Sequence, residues 1–333
     1  MEITTEPVAR FAHDYDSLAA TIVADVPDEA KTILDGIDSY RGDRPVSWRA
    51  KLGPDMTVLH YPLRGRTRVS GSPHKFACGE SVGTFGPDQM TAFARELSWS
   101  LGIPFGNVMD AQVSRFDIAV NLIVDAAAPD YVRLMSPPPQ MKEVGSGPGS
   151  AAFKNTVAEL IVYDKIQKLQ DRRLSHLIPE PWRGRHVLRV EARFKRPAKE
   201  FGRRVRVADL CSWSFYGEAV ERWLHRVDQI ALSGEVLPVP HATTPTEMVN
   251  GLASIGVHAV GGPAAVNEKI TWGQRNDLIL ARNAQRMRTQ VLLLIDGDTI
   301  TELPNLTGEF RDRVSLAACA SLAHAASRTD DRE

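Results

Sequence analysis

The chain has 333 residues, of which 43% are apolar and 24% charged, values that favour a folded globular protein over a disordered, collagen-like or coiled-coil one. It is long enough for two domains, because single cores rarely grow beyond about 250 to 300 residues. No apolar run reaches the roughly 18 residues of a membrane span, and the acidic start lacks the features of a signal peptide. The three cysteines form neither a zinc-ligand nor a disulfide pattern, so we expect a cytoplasmic protein.

The net charge of -1 conceals an uneven distribution of basic residues. Between Arg172 and Arg206, twelve basic residues stand against three acidic ones. A cluster of this kind can follow a phosphate backbone and release its counterions. The alternative for this feature alone is a solvated basic face without a partner.

The first half of the chain contains short strand candidates, an amphipathic helix and one long strand. Residues 56–61 and 67–70 are strand candidates, and apolar residues recur at helical spacing over 87–103 after a Pro-Asp start. The segment QVSRFDIAVNLIV, residues 112–124, alternates with period two and predicts a half-buried strand. Its polar face presents Arg115, Asp117, Ala119 and Asn121.

Two further strands follow a segment rich in proline and glycine. Residues 136–149 are predicted to be an irregular loop. The segment AELIVYDK, residues 158–165, predicts a strand that leads into a helix, and HVLRVEARF, residues 186–194, predicts another strand. Because side chains alternate along a strand, every second residue lies on the same face. On the first strand these are Glu159, Ile161, Tyr163 and Lys165, and on the second they are Arg189, Glu191 and Arg193.

The pattern becomes mostly helical beyond about residue 200, starting with the segment 209–232. We therefore predict an α/β domain over residues 1–200 and a mostly helical domain over 201–325. Residues 326–333 are predicted to be a frayed tail.

If the three strands share a sheet, a tyrosine, two carboxylates and several cations converge on one surface. Carboxylate oxygens such as those of Asp117 and Glu191 suit Mg²⁺ or Mn²⁺. A phenol with a reference pKa near 10 is a weak nucleophile at neutral pH. Tyr163 therefore needs help from a cation, a base or the metal, and Lys165 is the predicted source. From the residue alone, a half-buried structural tyrosine is the alternative.

The ordered segments VSRFDIAVNL, ELIVYDK and HVLRVEARFKRPAKEFG resemble the replication initiators of filamentous phages, the gene II protein family. More loosely, they resemble the plasmid rolling-circle initiators of the Rep-trans kind. The upstream stretch GSPHKFACGESVGTFG is similar to the Ser-Pro-x-Lys segment of that family. The resemblance covers about residues 65 to 205, and it is specific mainly because the segments occur in this order.

The resemblance implies an α+β fold, in which an antiparallel-rich central sheet is flanked by helices and followed by a mostly helical C-terminal part. This is an HUH-like nickase variant without the histidine pair, since His60, His74, His176 and His186 stand alone. Tyr163 becomes the nicking nucleophile, assisted by Lys165, and Asp117 and Glu191 become the residues of a Mg²⁺ or Mn²⁺ site. The DNA contacts are predicted at Arg115, Arg189, Arg193, Lys195, Arg196 and Lys75.

The implied function is the initiation of rolling-circle DNA replication for a phage or plasmid. The protein would nick one strand of the origin, at a single-stranded or hairpin site, and hold it as a covalent 5′-phosphotyrosine. The free 3′ hydroxyl would prime synthesis with host helicase and polymerase, and the strand would later be rejoined. A second tyrosine beside Tyr163 is absent. The alternatives are a non-catalytic DNA-binding regulator and a hydrolytic metal-dependent nuclease.

Overall fold

The structure, a computed structural model, describes residues 13–24, 26–27, 36–41, 44–53, 55–79, 83–147, 149–232 and 306–330. The chain divides into two compact units, residues 1–233 with 308–333 and residues 234–307. The fold below is that of the first unit. The part of the predicted helical domain in residues 233–305 lies outside the described residues.

Twelve strands are present in the described residues, and ten of them form one sheet in the order β2-β3-β4-β5-β1-β6-β11-β10-β9-β8. Every pairing in that sheet is antiparallel. The small strands β7 and β12 pair separately. The strands are β1 (Asp14–Ile22), β2 (Gly36–Arg41), β3 (Arg44–Leu52), β4 (Met56–Tyr61), β5 (Arg66–Gly71), β6 (Gln112–Val124), β7 (Met135–Ser136), β8 (Lys142–Gly147), β9 (Ser150–Lys154), β10 (Ala158–Asp164), β11 (His186–Phe194) and β12 (Ala231–Leu232).

Helices flank this sheet, which confirms the predicted α+β class. No helix within the described ranges is long and apolar enough to cross a membrane. The helices are α1 (Pro73–Cys78), α2 (Pro87–Leu101), α3 (Phe105–Met109), α4 (Ala128–Leu134), α5 (Lys165–Asp171), α6 (Pro197–Glu200), α7 (Val207–Leu210), α8 (Trp213–Asp228) and α9 (Leu306–Asp330).

The core lies between one face of the sheet and α8. On this face the rings of Phe116 and Phe194 lie 5.1 Å apart, and Phe215 of α8 lies 5.9 Å from Phe116. Trp223 Nε1 donates a hydrogen bond of 3.3 Å to the carbonyl of Val190 on β11. Burying an aromatic side chain of this kind stabilises the fold by about 1.5 to 3 kcal/mol. Because alternate residues of a strand point to opposite faces, the polar side chains of β6 and β11 lie on the other face.

The C-terminal helix α9 also belongs to the first unit. Arg311 donates a 2.7 Å hydrogen bond to the carbonyl of Ile230, and Glu309 accepts one of 2.9 Å from the amide of Asp125. The first unit therefore includes α6, α7 and α8 together with most of α9, whereas the sequence predicted a boundary near residue 200. The helix runs to Asp330, beyond the predicted start of the frayed tail at 326.

The prediction of an irregular loop over residues 136–149 is wrong for its second half. Residues 142–147 form β8, which pairs with β9 at the edge of the sheet. The pairing register shifts between Glu143 and Gly145, so Val144 is an extra residue in this edge strand. Edge strands tolerate such bulges because only one side of the strand must be paired.

The predicted strand that carries Tyr163 is confirmed, but it ends at Asp164. The carboxylate of Asp164 accepts a 2.8 Å hydrogen bond from the amide of Gln167 and thus caps α5. Aspartate at this position satisfies one of the free amides of the first helical turn. Lys165 is consequently the first residue of α5, and its predicted place on the strand face is wrong.

Candidate active site

The register of the sheet brings most of the predicted site residues to one face. Across the pair β6 and β11, Asp117 is opposite Arg193 and Asn121 is opposite Arg189. Across β10 and β11, Tyr163 is opposite Arg189, and Ile161 is opposite Glu191. Residues directly opposite each other in an antiparallel pair share a face. Asp117, Tyr163 and Glu191 therefore lie on the same surface, as the sequence predicted.

A β-bulge in β1 adds a carboxylate that the sequence analysis did not identify. Tyr15 pairs with Ile118 and Ser17 pairs with Asp117, so Asp16 is an extra residue in the ladder. The bulge keeps Tyr15 and Leu18 in the core while both Asp16 and Ser17 contact groups of the polar face. Bulges are frequent beside active sites, where they re-aim side chains. The motif Asp14-Tyr15-Asp16 in an alternating strand was the available sequence signal.

Three carboxylates meet at the centre of this face and are called the acid cluster here. One oxygen each from Asp16, Asp117 and Glu191 lies within 4.8 Å of the other two. Asp117 is 0% and Glu191 3% exposed, whereas the side chain of Asp16 is 23% exposed and opens the cluster to solvent.

The acid cluster fits a small divalent cation. With bonds of about 2.1 Å, ligands on opposite sides of Mg²⁺ are about 4.2 Å apart and neighbouring ligands about 3.0 Å apart, so the three oxygens would have to move closer together to share one ion. The Oδ1 atom of Asp117 is buried and accepts no hydrogen bond in the structure. Its nearest cation is Arg115, with Nε at 3.5 Å. An oxygen left in this state is available as a metal ligand.

Arg193 crosses the acid cluster and binds three carboxylates. Its Nε lies 2.9 Å from Asp117, and its two terminal nitrogens lie 3.2 Å from Glu159 and from Glu191. Ser17 also donates a hydrogen bond to Asp117. The guanidinium predicted to contact DNA is therefore occupied by acidic partners, and its 28% exposed side chain is part of the site itself.

Arg189 was also predicted to contact DNA, but its side chain is only 1% exposed. It lies on β11, which is flanked by β6 and β10 in the sheet. Its guanidinium donates to Asp16 at 2.9 Å and to Asn121 at 3.1 Å, and Asp14 lies 4.0 Å away. The buried guanidinium of Arg189 therefore holds the partly exposed Asp16 in place from below.

The other predicted DNA contacts lie around the site and differ in their exposure. Arg115 is 37% exposed and donates to Ser17 at 3.1 Å. Lys75 on α1 is paired with Asp55, and Lys195 donates to the carbonyl of Asn155. Arg196 is exposed.

Burial changes the proton affinity of the carboxylates unequally. Burial raises the pKa of Glu191 to about 7, and the charges of Asp16 and Asp117 add to this increase. Burial likewise raises the pKa of Asp14 to about 7, although Arg189 opposes the change. For Asp16, burial would raise the pKa, but the Arg189 and lysine charges outweigh it and the pKa is lowered. The site thus contains both an ionised carboxylate and carboxyls that titrate near neutrality.

Tyr163 is 8% exposed and carries a lysine over its ring. The ammonium of Lys168, a residue that the sequence analysis did not select, lies 3.8 Å from the ring centroid. Burial raises the pKa of the Tyr163 phenol, although the charge of Arg189 opposes this. The phenol is therefore neutral at physiological pH and requires a proton acceptor before it can act as a nucleophile.

Lys165 is 4% exposed and has the properties of such an acceptor. Burial lowers the pKa of its ammonium to about 7; Arg189 adds to this effect and Asp16 opposes it. A group with a pKa near the working pH is efficient in proton transfer, because both of its forms are populated. His74 on α1 also lies near the charges of Asp16 and Arg189, but burial lowers the pKa of its ring to about 4 and keeps the ring neutral.

Replacing Arg189 with alanine is expected to lower the free energy of unfolding by about 3 to 5 kcal/mol, because it leaves buried carboxylates without their cation. Urea unfolding would measure the change. The matched control is Arg185→Ala, an exposed arginine just before the same strand, which is expected to change stability by less than about 0.5 kcal/mol. Equal effects of the two substitutions would contradict the supporting role of Arg189.

No family model and no curated protein matches this chain. Among solved structures, a chain described as Methanococcus jannaschii TBP aligns with a TM-score of 0.28 and 12% sequence identity, over 54% of this chain and 87% of that one. A likeness at this level supports no conclusion about fold or function.

Proposed function

We propose that this chain is a metal-dependent DNA-nicking and strand-transfer enzyme that initiates rolling-circle replication of a phage or plasmid. The observation that supports this most is the position of Tyr163 on the same sheet face as the acid cluster. Tyr163 is opposite Arg189, two residues from Glu191 along β11, and diagonal neighbours of this kind are about 7 to 8 Å apart. A phosphodiester can contact a tyrosine and a metal ion across this distance.

The proposed ligands of Mg²⁺ or Mn²⁺ are the acid cluster residues Asp16, Asp117 and Glu191. When bound, the ion would polarise the scissile phosphate and stabilise the charge that develops on it. Occupation of the cluster would compete with Arg193 for Asp117 and Glu191. Arg193 would then have its Nε and one terminal nitrogen free for the phosphate, to which an arginine can donate two parallel hydrogen bonds.

The chemical step is a transesterification. The phenolic oxygen of Tyr163 forms a bond to phosphorus while the bond between phosphorus and the 3′ oxygen breaks. We assign Lys165, in its neutral form, to accept the phenolic proton directly or through a water, and the departing 3′ oxygen takes up a proton to become a hydroxyl. The tyrosyl phosphodiester conserves the energy of the broken bond, so the reverse reaction can rejoin the strand without ATP.

A hydrolytic nuclease is the second candidate, and the neutral state of Tyr163 favours it. A phenol whose pKa burial raises is a weaker nucleophile than a metal-activated water. In that case the acid cluster would act without a covalent intermediate. The two candidates share their metal site and their DNA substrate, and they differ in whether protein remains attached to the cut strand.

Incubation with Mn²⁺ and supercoiled plasmids that carry fragments of the replicon encoding the chain tests the proposal. We expect relaxed circles with protein that stays attached in detergent, and no reaction after chelation of the metal. Nicks without attached protein would support the hydrolytic candidate. Plasmid left unchanged by every fragment would contradict both and would favour the non-catalytic DNA-binding regulator.

A further inference from the structure

A cavity of about 730 Å³ lies beside the sheet edge formed by β8 and β9 and reaches the helices α6 and α8. Five basic side chains line it, and Glu200 is the one carboxylate among the lining residues. Glu200 is already bound by two nitrogens of Arg226, at 2.8 and 3.1 Å. The cavity is called the basic pocket here, and its cations are Lys142, Lys154, Lys199, Arg222 and Arg226.

Four of these cations have no acidic partner among the described residues. Lys142, Lys154, Lys199 and Arg222 are exposed, and no ion pair joins them to another part of the described chain. Some exposed arginines elsewhere are paired: Arg203 binds Asp209 and Glu218, and Arg206 binds Asp110. An anion entering the basic pocket therefore meets four positive charges that are not paired with a carboxylate of the described residues.

The basic pocket is connected to the acid cluster through the strand register. Lys154 at the end of β9 is opposite Glu159 on β10, and Glu159 binds Arg193 at 3.2 Å. Three strand spacings of about 4.8 Å separate β9 from β6, where Asp117 lies, which is about 14 Å. An extended single strand covers this distance in a few nucleotides.

We infer that the basic pocket binds backbone phosphates of the DNA strand, a few nucleotides from the phosphate held at the acid cluster. The inference rests on the proposed function, because that function makes the anion DNA. Five cations from β8, β9, α6 and α8 suit a polyanion that extends along the surface better than a single small anion, since the pocket is open to solvent.

Fluorescence anisotropy of the full chain with a labelled single strand of about 16 nucleotides, in the presence of a chelator, tests the inference without cleavage. The variant Lys142→Gln/Lys154→Gln/Arg222→Gln is expected to bind at least about 10-fold more weakly at low salt. The slope of log affinity against log salt is expected to fall by about 2, because each phosphate contact with a single strand contributes about 0.7.

Two controls separate the pocket from a general effect of charge. The variant Lys142→Arg/Lys154→Arg/Arg222→Lys keeps the charges and is expected to bind like the wild type. The variant Arg49→Gln/Arg64→Gln/Arg95→Gln removes the same charge from exposed positions elsewhere and is expected to keep the wild-type slope. Thermal unfolding checks that all three variants fold.

The inference is overturned if the glutamine variant of the pocket binds DNA with the wild-type affinity and slope. It is also overturned by a second result. If calorimetry shows that the wild type binds inorganic phosphate saturably and the glutamine variant does not, while the two bind DNA equally, the pocket binds a free anion. If the wild-type protein nicks DNA but its DNA binding does not depend on the pocket, this inference alone is contradicted. Pocket-dependent binding in a protein that never nicks would contradict the proposed function alone.

Discussion

Tyr163→Phe is expected to reduce formation of the covalent protein–DNA adduct by at least about 10³-fold, because loss of a nucleophile removes the covalent route as a whole. The substitution deletes one oxygen and keeps the ring that Lys168 covers at 3.8 Å. The fold and the binding of DNA are therefore expected to be nearly unchanged. Denaturing electrophoresis of labelled DNA after incubation with Mn²⁺ measures the adduct, and anisotropy in a chelator measures binding.

Tyr61→Phe is the matched control, since Tyr61 is a partly buried tyrosine on β4 of the same sheet. This control is expected to form the adduct at the wild-type rate. If the Tyr163→Phe protein still became attached to DNA, another residue would be the nucleophile. If it nicked as fast as the wild type without an adduct in either, the hydrolytic candidate would replace the transesterification.

Glu191→Gln is expected to weaken Mn²⁺ binding at least about 100-fold and to reduce its pH dependence, because a ligand of the acid cluster that titrates near neutrality is lost. In the wild type, burial raises the pKa of Glu191 to about 7. Metal binding must displace this proton, so wild-type affinity is expected to increase as the pH rises to about 7 and to increase much less above it. Titration calorimetry at several pH values measures both effects.

Without metal, Glu191→Gln is expected to make the stability of the fold less sensitive to a rise in pH. The folded pKa of Glu191 lies above its ordinary value of 4.5, so its favourable contribution is complete below that value and is lost as the pH rises through about 7. The wild type is therefore expected to lose about 1 to 3 kcal/mol more than the variant between about pH 5 and pH 8. Urea unfolding at the two pH values compares them.

Glu159→Gln is the control for both measurements. Glu159 lies at the same 3.2 Å from Arg193 as Glu191 does, but it lies outside the acid cluster. It is expected to keep metal affinity within a few-fold of the wild type. If Glu159→Gln and Glu191→Gln weakened Mn²⁺ binding equally, the ion would not be bound where we propose.

The alternation of residues in β6, β10 and β11 was sufficient to predict which side chains share a face. Side chains of a strand alternate with a period of two, and this property is local to each segment. When these strands pair with their apolar faces on the core, Asp117, Tyr163 and Glu191 lie on one surface. The helices α2 and α8 were predictable for a similar reason, since their apolar residues repeat at helical spacing.

The partners of those side chains depended on contacts between distant parts of the chain. Asp16 enters the acid cluster through a bulge that exists only when β1 pairs with β6, about a hundred residues later. Arg189 and Arg193 looked alike in the sequence, yet the first is buried beneath Asp16 and the second spans three carboxylates. The sequence by itself thus determined the faces of the strands and placed Tyr163 with its neighbouring acids on one of them. Only the tertiary structure decided which charges are buried and paired, because burial and ion pairing depend on strand register and on the helices that cover each face.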